Sequence, residues 1–197
     1  MITLREIVSG LYGAFRLACL KRDGVHYFNT SLQGFWRSFF AALLVLPLYV
    51  ILIALRFGEP GLTHDTFRYV SVELISYAVS WVAFPLAILP FARQFDREEN
   101  YLGFIVAYNW AAVLQSVFYL PIAMLVVTQL IPAPYDSMIS LLAISLIMVY
   151  VWFIARVVLD VPAGVAIAVV GFDIIMSIVI RALSESMMRS GSVMLNV

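Results

Sequence analysis

The sequence predicts an all-α, polytopic integral membrane protein whose core is a bundle of five transmembrane helices. Of its 197 residues, 63% are hydrophobic and only 12% are charged, whereas soluble domains have about 45–50% apolar and about 25% charged residues. Five apolar stretches each provide about the 20 residues that a helix needs to cross a bilayer core of roughly 30 Å. They are residues 38–55, 69–91, 103–131, 137–155 and 163–183.

Residues 2–20, ahead of the first span, have the pattern of an amphipathic helix. Arg5, Glu6, Ser9 and Arg16 lie off its apolar face. Such a helix either lies in the plane of the membrane interface or packs against the cytoplasmic loops of the bundle. The apolar residues that repeat at helical spacing on one face are Leu4, Ile7, Val8, Leu11, Phe15, Ala18 and Cys19.

The first span is expected to begin after a short linker. Thr30 and Gln33 have the spacing of a capping box, in which each side chain satisfies a free amide at the start of a helix. Phe35, Trp36 and Arg37 follow, and aromatic rings beside an arginine suit the headgroup region. Residues 1–34 are therefore assigned to a cytoplasmic helix and linker, and residues 35–183 to the transmembrane domain.

Residues 184–197 follow the fifth span and form a polar segment without a strong pattern. We expect a short mobile tail there. Five is an odd number of spans, and it gives no support for the inverted repeats of several secondary transporters.

Lysine and arginine in the short loops predict the orientation in the membrane. A cytoplasmic N-terminus places the C-terminus outside. One side then carries Arg5, Arg16, Lys21, Arg22, Arg37, Arg93, Arg97 and Arg156, and the other carries Arg56, Arg68, Arg181 and Arg189. This excess on the first side favours a cytoplasmic N-terminus.

The fifth span carries a polar stripe, since Asp173, Ser177 and Arg181 recur every four residues. On nearly the opposite side lie three small residues, Gly164, Ala168 and Gly171. Small residues at this spacing let a second helix approach closely, so we predict a helix-packing face there. The fifth span is then either central in the bundle or held between the bundle and another subunit, in a homo-oligomer or with other membrane proteins.

Two other spans carry polar stripes of their own. The second span has Glu73, Ser76, Tyr77 and Ser80, and the third has Tyr101, Tyr108, Gln115 and Tyr119. Counting the rise per residue from the span ends places Glu73 and Arg181 together in the outer leaflet. It places Ser80, Gln115 and Asp173 near the midplane. We therefore predict an ion pair between Glu73 and Arg181, and a buried Asp173 near Ser80 or Gln115.

This intramembrane polar network has two interpretations. As a structural element, it fixes helix register through hydrogen bonds of about 0.6 kcal/mol each. As a functional element, Asp173 is a proton or cation site on a transport path, a role that intramembrane carboxylates have elsewhere.

Enzymatic chemistry is not expected. The sequence contains no HExxH motif and no phosphate-binding glycine loop. Its single cysteine, Cys19, excludes an internal disulfide and a multi-cysteine metal site, and its formal net charge of zero gives no nucleic-acid footprint. We expect no cofactor, no metal and no nucleic-acid partner, with the lipid bilayer as the surroundings of the chain.

The order of segments resembles the Yip family, small five-span membrane proteins named for their interaction with Ypt/Rab GTPases. A cytoplasmic N-terminal region, five consecutive spans and a short far-side tail are shared, and Leu11-Tyr12-Gly13 resembles the Tyr-Gly element before the first span of that family. The chain lacks the long acidic N-terminal region of eukaryotic members. The resemblance therefore implies a bacterial-type member in the cytoplasmic membrane that acts as a scaffold or subunit of a membrane assembly. A small-solute or ion transporter using Asp173 is the alternative.

Overall fold

The computed structural model of this protein describes residues 2–57 and 65–193, with side chains to residue 188. This part of the chain is helical and contains no strand. Five helical segments are long and apolar enough to cross a membrane, as predicted. The helices are α1 (Leu4–Ala18), α2 (Leu32–Ser38), α3 (Phe40–Arg56), α4 (Thr66–Gln94), α5 (Glu98–Val127), α6 (Ala133–Ile154) and α7 (Ala163–Val193). A 3₁₀ turn covers Arg22–Tyr27, and a π-helical turn, Ala155–Leu159, extends α6.

The first span begins earlier than the sequence pattern predicted. It covers Leu32–Arg56 and joins α2 to α3. Ser31 is the N-cap residue, and its hydroxyl accepts a hydrogen bond from the Gly34 amide at 3.1 Å. The cap is thus one residue beyond Thr30, because a serine hydroxyl three residues before a free amide performs the same role.

Helix α7 extends well beyond the predicted end of the fifth span. It continues to Val193, through most of the segment assigned to the tail; residues 194–197 lie outside the described part. The apolar stretch of the sequence ends at residue 183, and polar residues follow it. Those residues extend the helix beyond the apolar window instead of ending it.

Helix α5 is the centre of the bundle and contacts α1, α2, α3, α4 and α6. Its first half is almost completely enclosed, with Gly103 to Ala107, Asn109 to Ala111 and Val113 all buried. Beyond Val113, the helix contains a single buried residue, Leu120. The packed core therefore surrounds one half of α5, and the other half borders more open space.

Helix α1 packs on the bundle through its small residues. Gly10, Gly13, Ala14 and Leu17 are buried, and a Cβ on Gly10 would lie 2.6 Å from the ring of Trp110. Tyr150 donates a hydrogen bond to the Ala14 carbonyl at 2.7 Å. On the face predicted to be apolar, Ile7 and Leu11 pack against the core, whereas Leu4, Val8 and Phe15 are exposed. Helix α1 therefore packs on the helices α5 and α6, and its placement in the plane of the membrane interface stays a prediction.

The two ends of the bundle are distinguished by polar contacts between the ends of its helices and the residues beside them. At one end, Asn100 donates to the Leu159 carbonyl at 3.3 Å and Arg97 pairs with Asp160 at 3.5 Å. At the other end, Arg68 Nε donates to the Met187 carbonyl at 3.0 Å. Because α1 packs on α5 and α6 near the first end, the N-terminal region lies with the α4–α5 and α6–α7 loops.

Candidate functional site

A polar cleft lies between two pairs of packed helices. Helix α4 packs on α7, and α3 packs on α5. Between these pairs is a partly open cavity of about 250 Å³, which continues into a neighbouring cavity of about 270 Å³. The two share six lining residues: Tyr49, Tyr77, Ser80, Leu120, Ser177 and Ile180. We call the two together the cleft. Since one water takes up about 30 Å³ of liquid volume, the cleft is large enough for several waters or a small solute.

Asp173 of α7 and Tyr108 of α5 meet in the first cavity. The Tyr108 hydroxyl donates to Asp173 Oδ1 at 2.7 Å. Both residues lie ten positions beyond the first residue of their helices, about 15 Å along the axis. Ser80 and Ser177 line the same cavity. Asp173 is half-buried, so its carboxylate borders the cleft and does not sit in a sealed core.

Aromatic rings form much of the wall around this carboxylate. Tyr49 and Tyr77 stack with their ring centroids 4.6 Å apart, and Trp81 lies edge-on to Tyr77 at 6.1 Å. Phe84 stacks on Tyr108 at 4.5 Å. Such aromatic pairs stabilise each other beyond the area they bury, so the rings hold one another in place.

The hydroxyls of Tyr49 and Tyr77 have partners that do not line the first cavity. Tyr77 donates to the Ala42 carbonyl at 2.6 Å, and Tyr49 donates to Glu73 Oε2 at 2.6 Å. Because these bonds fix the hydroxyl ends, the orientation of both rings is set by α3 and α4.

The predicted ion pair between Glu73 and Arg181 is wrong. Arg181 pairs with Glu185 of its own helix, with 3.1 Å between Nε and Oε1, and Glu73 is buried with Tyr49 as its hydrogen-bond donor. Both residues line the second cavity without contacting each other. An acid four residues away is already in reach on the same helix, and it therefore competes with an acid on another helix.

Gln115 does not join the polar network. It is absent from the lining of both cavities, and its buried side-chain nitrogen has no hydrogen-bond partner within the described residues. The residues of α5 that line the first cavity are Tyr108, Ala112, Ser116 and Leu120. Gln115 is one residue before Ser116 and is turned about 100° away from it around the helix. The polar stripe predicted for the third span was too wide to show which of these two residues faces the cavity.

The predicted packing face of α7 meets no other helix in the part of the chain that the structure describes. Gly164 and Ala168 are exposed, and a Cβ at Gly164 or Gly171 would meet no atom within 4 Å. The bundle side of α7 is formed by larger residues, including the fully buried Val169. The small residues therefore leave an open face on α7.

Sequence reasoning missed most of the aromatic wall. Tyr77, Trp81 and Phe84 follow one another at helical spacing with Ser80 on α4, and Tyr49 is the one tyrosine in the aliphatic α3. A tyrosine that must bury its hydroxyl in lipid needs a partner, so Tyr49 was a signal of a nearby acceptor such as Glu73.

The lining defines what the cleft can do chemically. The first cavity has one carboxylate, three serine hydroxyls and no lysine, arginine or histidine. The second has Glu73 and Glu185 with Arg56 and Arg181. In the described residues, no group of three or more histidine, cysteine or acidic side chains is placed to hold a metal ion. The first cavity is therefore suited to a proton or a cationic solute.

Comparison of the chain with protein-family models, with curated proteins and with solved structures found no match in any of the three. The resemblance to the Yip family stays a prediction. The fold and the cleft together define the class: a helical protein with five candidate membrane spans and a polar cleft between them.

Proposed function

We propose that this membrane protein is a transporter of a small solute, which binds in the cleft at Asp173, and that it has no enzymatic activity. The observation that carries this proposal is the cavity of about 250 Å³ that exposes one carboxylate at mid-depth of the bundle. A carboxylate near the bilayer centre is costly, and such groups normally face a water-filled space or a partner.

The arrangement of the helices provides a simple way to open the cleft. The cleft lies between the α4–α7 pair and the α3–α5 pair, which also touch each other where α4 packs on α3 and α5. Rocking one pair against the other would open the site to each side in turn, as alternating access requires. The polar contact between Tyr108 and Asp173 joins the two pairs at the centre and would be exchanged for contacts with solute or water.

The test is the reactivity of cysteines in sealed vesicles, measured with a charged, membrane-impermeant thiosulfonate. Thiosulfonates react with the thiolate, which requires water. In a Cys19→Ser background, Ser177→Cys lines the cleft. Ile175→Cys, two residues away, is exposed on α7 outside the cleft lining and is the lipid-facing control. We expect Ser177→Cys to react from both sides of the membrane and Ile175→Cys from neither.

Two further cysteines report the sidedness of the vesicles. The native Cys19 is exposed near the N-terminal end, and Phe67→Cys marks the opposite end at an exposed position of α4. Each should react from a single side. Labelling of Ser177→Cys from one side alone contradicts transport, and labelling from neither side contradicts a hydrated cleft.

The second candidate function is a scaffold or subunit of a membrane assembly, as the resemblance to the Yip family implies. The open face of Gly164, Ala168 and Gly171 favours it, because such residues let another helix pack closely. Gly171→Leu would block that face. Loss of a stoichiometric partner, or of a homo-oligomer, in mild detergent supports the scaffold, and an unchanged monodisperse monomer contradicts it.

We also propose a cytoplasmic N-terminus, an external C-terminus and a location in the bacterial cytoplasmic membrane. The support is the excess of basic residues at the end of the bundle that holds α1 and the α4–α5 and α6–α7 loops. A cytoplasmic reporter should be active when fused before Met1 and inactive after Val197. The reverse result would invert the orientation.

A further inference from the structure

We infer that the solute of the cleft is a small organic cation, a protonated or quaternary amine held by Asp173 and the aromatic wall. This inference rests on the proposed function, since it names the chemical class of solute for the same cavity. Three properties of the cavity lead to it: its charge, its aromatic lining and its size.

The charge of the first cavity is negative and uncompensated by its lining. Asp173 is its one carboxylate, and no lysine, arginine or histidine lines it. Among the described residues, the hydrogen bond to this carboxylate is the one from Tyr108 to Oδ1. Oδ2 is therefore available to accept a hydrogen bond or to face a positive charge. A desolvated anion without a counter-charge is unfavourable, and a bound cation removes that cost.

The aromatic wall selects an organic cation over a metal ion. Five rings line the cavity: Tyr49, Tyr77, Trp81, Phe84 and Tyr108. Cations are attracted to the faces of aromatic rings, most strongly where water is displaced, and quaternary ammonium groups are recognised in this way. Hard metal ions instead take six or more oxygen ligands, and the one carboxylate and three serines of this lining would leave part of that shell to water, whereas the rings suit an organic cation.

The size of the cavity and the position of Asp173 along α7 narrow the class of solute further. Drug-sized ligands occupy pockets of about 300–1,000 Å³, and the part of the cleft that surrounds Asp173 is smaller, at about 250 Å³, so it suits a small amine. Asp173 lies about 15 Å along α7 from its first residue, deeper than lipid headgroups. The solute is thus a free small amine and not the headgroup of a phospholipid.

The experiment compares choline with 3,3-dimethylbutan-1-ol, which has the same shape with carbon in place of the charged nitrogen. Full-length protein in a non-ionic detergent is heated at constant ionic strength, and its unfolding midpoint is measured against ligand concentration. A ligand that binds only the folded state raises the midpoint in a saturable way. We expect saturable stabilisation by choline and none by the alcohol.

Two charge-removing variants locate the site. Asp173→Asn keeps an acceptor for Tyr108 and removes the charge, and it should weaken choline binding by about tenfold or more. Asp160→Asn is the matched control, because Asp160 is exposed at the end of the bundle in a left-handed conformation that asparagine tolerates. It should bind choline as the unmodified chain does. Trp81→Leu, which removes one ring and keeps the carboxylate, should weaken binding by several-fold.

Each other outcome overturns the inference. Equal stabilisation by choline and the alcohol means that the charge is not recognised, and stabilisation by pivalate instead of choline means that the cleft binds anions. Stabilisation by phosphatidylcholine but not by choline identifies a lipid. If Asp173→Asn does not fold, absence of a choline effect on the unmodified chain still contradicts the inference. If Ser177→Cys is labelled from both sides and choline has no effect, then the solute is not an organic cation, and the proposal of transport is still supported.

Discussion

Two neighbouring residues of α5 make polar contacts of opposite character. Asn109 donates to the Ser38 hydroxyl at 2.8 Å, and both residues are 0% exposed. One position earlier, Tyr108 donates to Asp173 at 2.7 Å in the wall of a cavity. The first contact is dry and joins α5 to α2, and the second borders the cleft between α5 and α7.

The difference between these two contacts shows how α5 can belong to the packed core on one side and line the cleft on another. Successive residues are turned by about 100° on a helix, so Tyr108 and Asn109 face different neighbours. Toward Asn109, the Ser38 hydroxyl is itself bonded to the Phe35 carbonyl at 2.7 Å, and both side chains are shielded from solvent. Toward Tyr108, the helices leave the open volume of the cleft between them. Polarity inside a membrane bundle therefore indicates a functional site only where it borders open volume.

Exchanging amide for carboxylate at Asn109, and carboxylate for amide at Asp173, should give the largest difference in folded protein. In Asn109→Asp, a carboxylate oxygen replaces the amide donor and faces the Ser38 oxygen, whose proton is already given to Phe35. An uncompensated buried charge costs about 3–5 kcal/mol. We expect poor accumulation of folded protein, measured by fluorescence-detected size exclusion. Asp173→Asn should accumulate normally, because the amide oxygen still accepts from Tyr108.

Equal accumulation of the two variants would contradict the assignment of a dry and a wet side. The same is true if Asp173→Asn is the one that fails to fold, since the carboxylate would then be a structural element.

A methyl group added at a tightly packed glycine and at an open one should have the next largest effect. Gly10→Ala places a Cβ 2.6 Å from the ring of Trp110 in the packed core, and overpacking of this kind costs about 1–3 kcal/mol. Gly171→Ala adds the same group where no atom lies within 4 Å. It should leave stability unchanged or raise it by up to about 1 kcal/mol, because alanine favours the helix. Thermal unfolding in detergent measures both, and similar shifts would remove the distinction.

Removing the hydroxyl that joins α5 to α7 should have a modest effect. Tyr108→Phe deletes one hydrogen bond, worth about 1 kcal/mol, and keeps the stack with Phe84. We expect a small fall in the unfolding midpoint and faster thiol labelling of Ser177→Cys, because the two helix pairs lose their central contact. Slower labelling would indicate that the hydroxyl holds the cleft open.

The smallest effect should come from a substitution on the exposed apolar surface of α1. Val8 is exposed on that surface, away from Gly10 and Trp110. Val8→Gln should change the unfolding midpoint in detergent by less than about 0.5 kcal/mol, as surface substitutions usually do. In lipid vesicles it should weaken the contact of α1 with the membrane surface, which a fluorophore on Cys19 would report as a red shift. A large loss of stability in detergent would mean that this face packs on protein.

The spans could be predicted from the sequence because hydropathy and length are local properties. Apolar runs bounded by charged, polar or proline-containing loops located all five, and the main differences lie at the ends, where α2 and the last turns of α7 are more polar than the core. The glycine contacts of α1 were not predicted, because Gly10 and Gly13 carry no hydrophobic signal and act through close approach to Trp110 and Gly24.

The site was predictable only in part. The stripe of Asp173 and Ser177 was read correctly as one face of a helix, because periodicity fixes which residues share a face. Partners on other helices depend on rotation and tilt, which periodicity does not fix. For that reason Glu73 was assigned to Arg181 instead of Tyr49, and Gln115 was assigned to the network instead of Ser116.

The central claim is that the carboxylate of Asp173 faces a solvated cleft inside the membrane bundle. A high-resolution crystal structure grown in a lipidic mesophase tests it most directly. We expect density for water or a small solute within about 3.2 Å of Asp173 Oδ2, in hydrogen-bond range, with Tyr108 still bonded to Oδ1. A cleft closed by side chains, or filled by an acyl chain lying against Asp173, would contradict the claim.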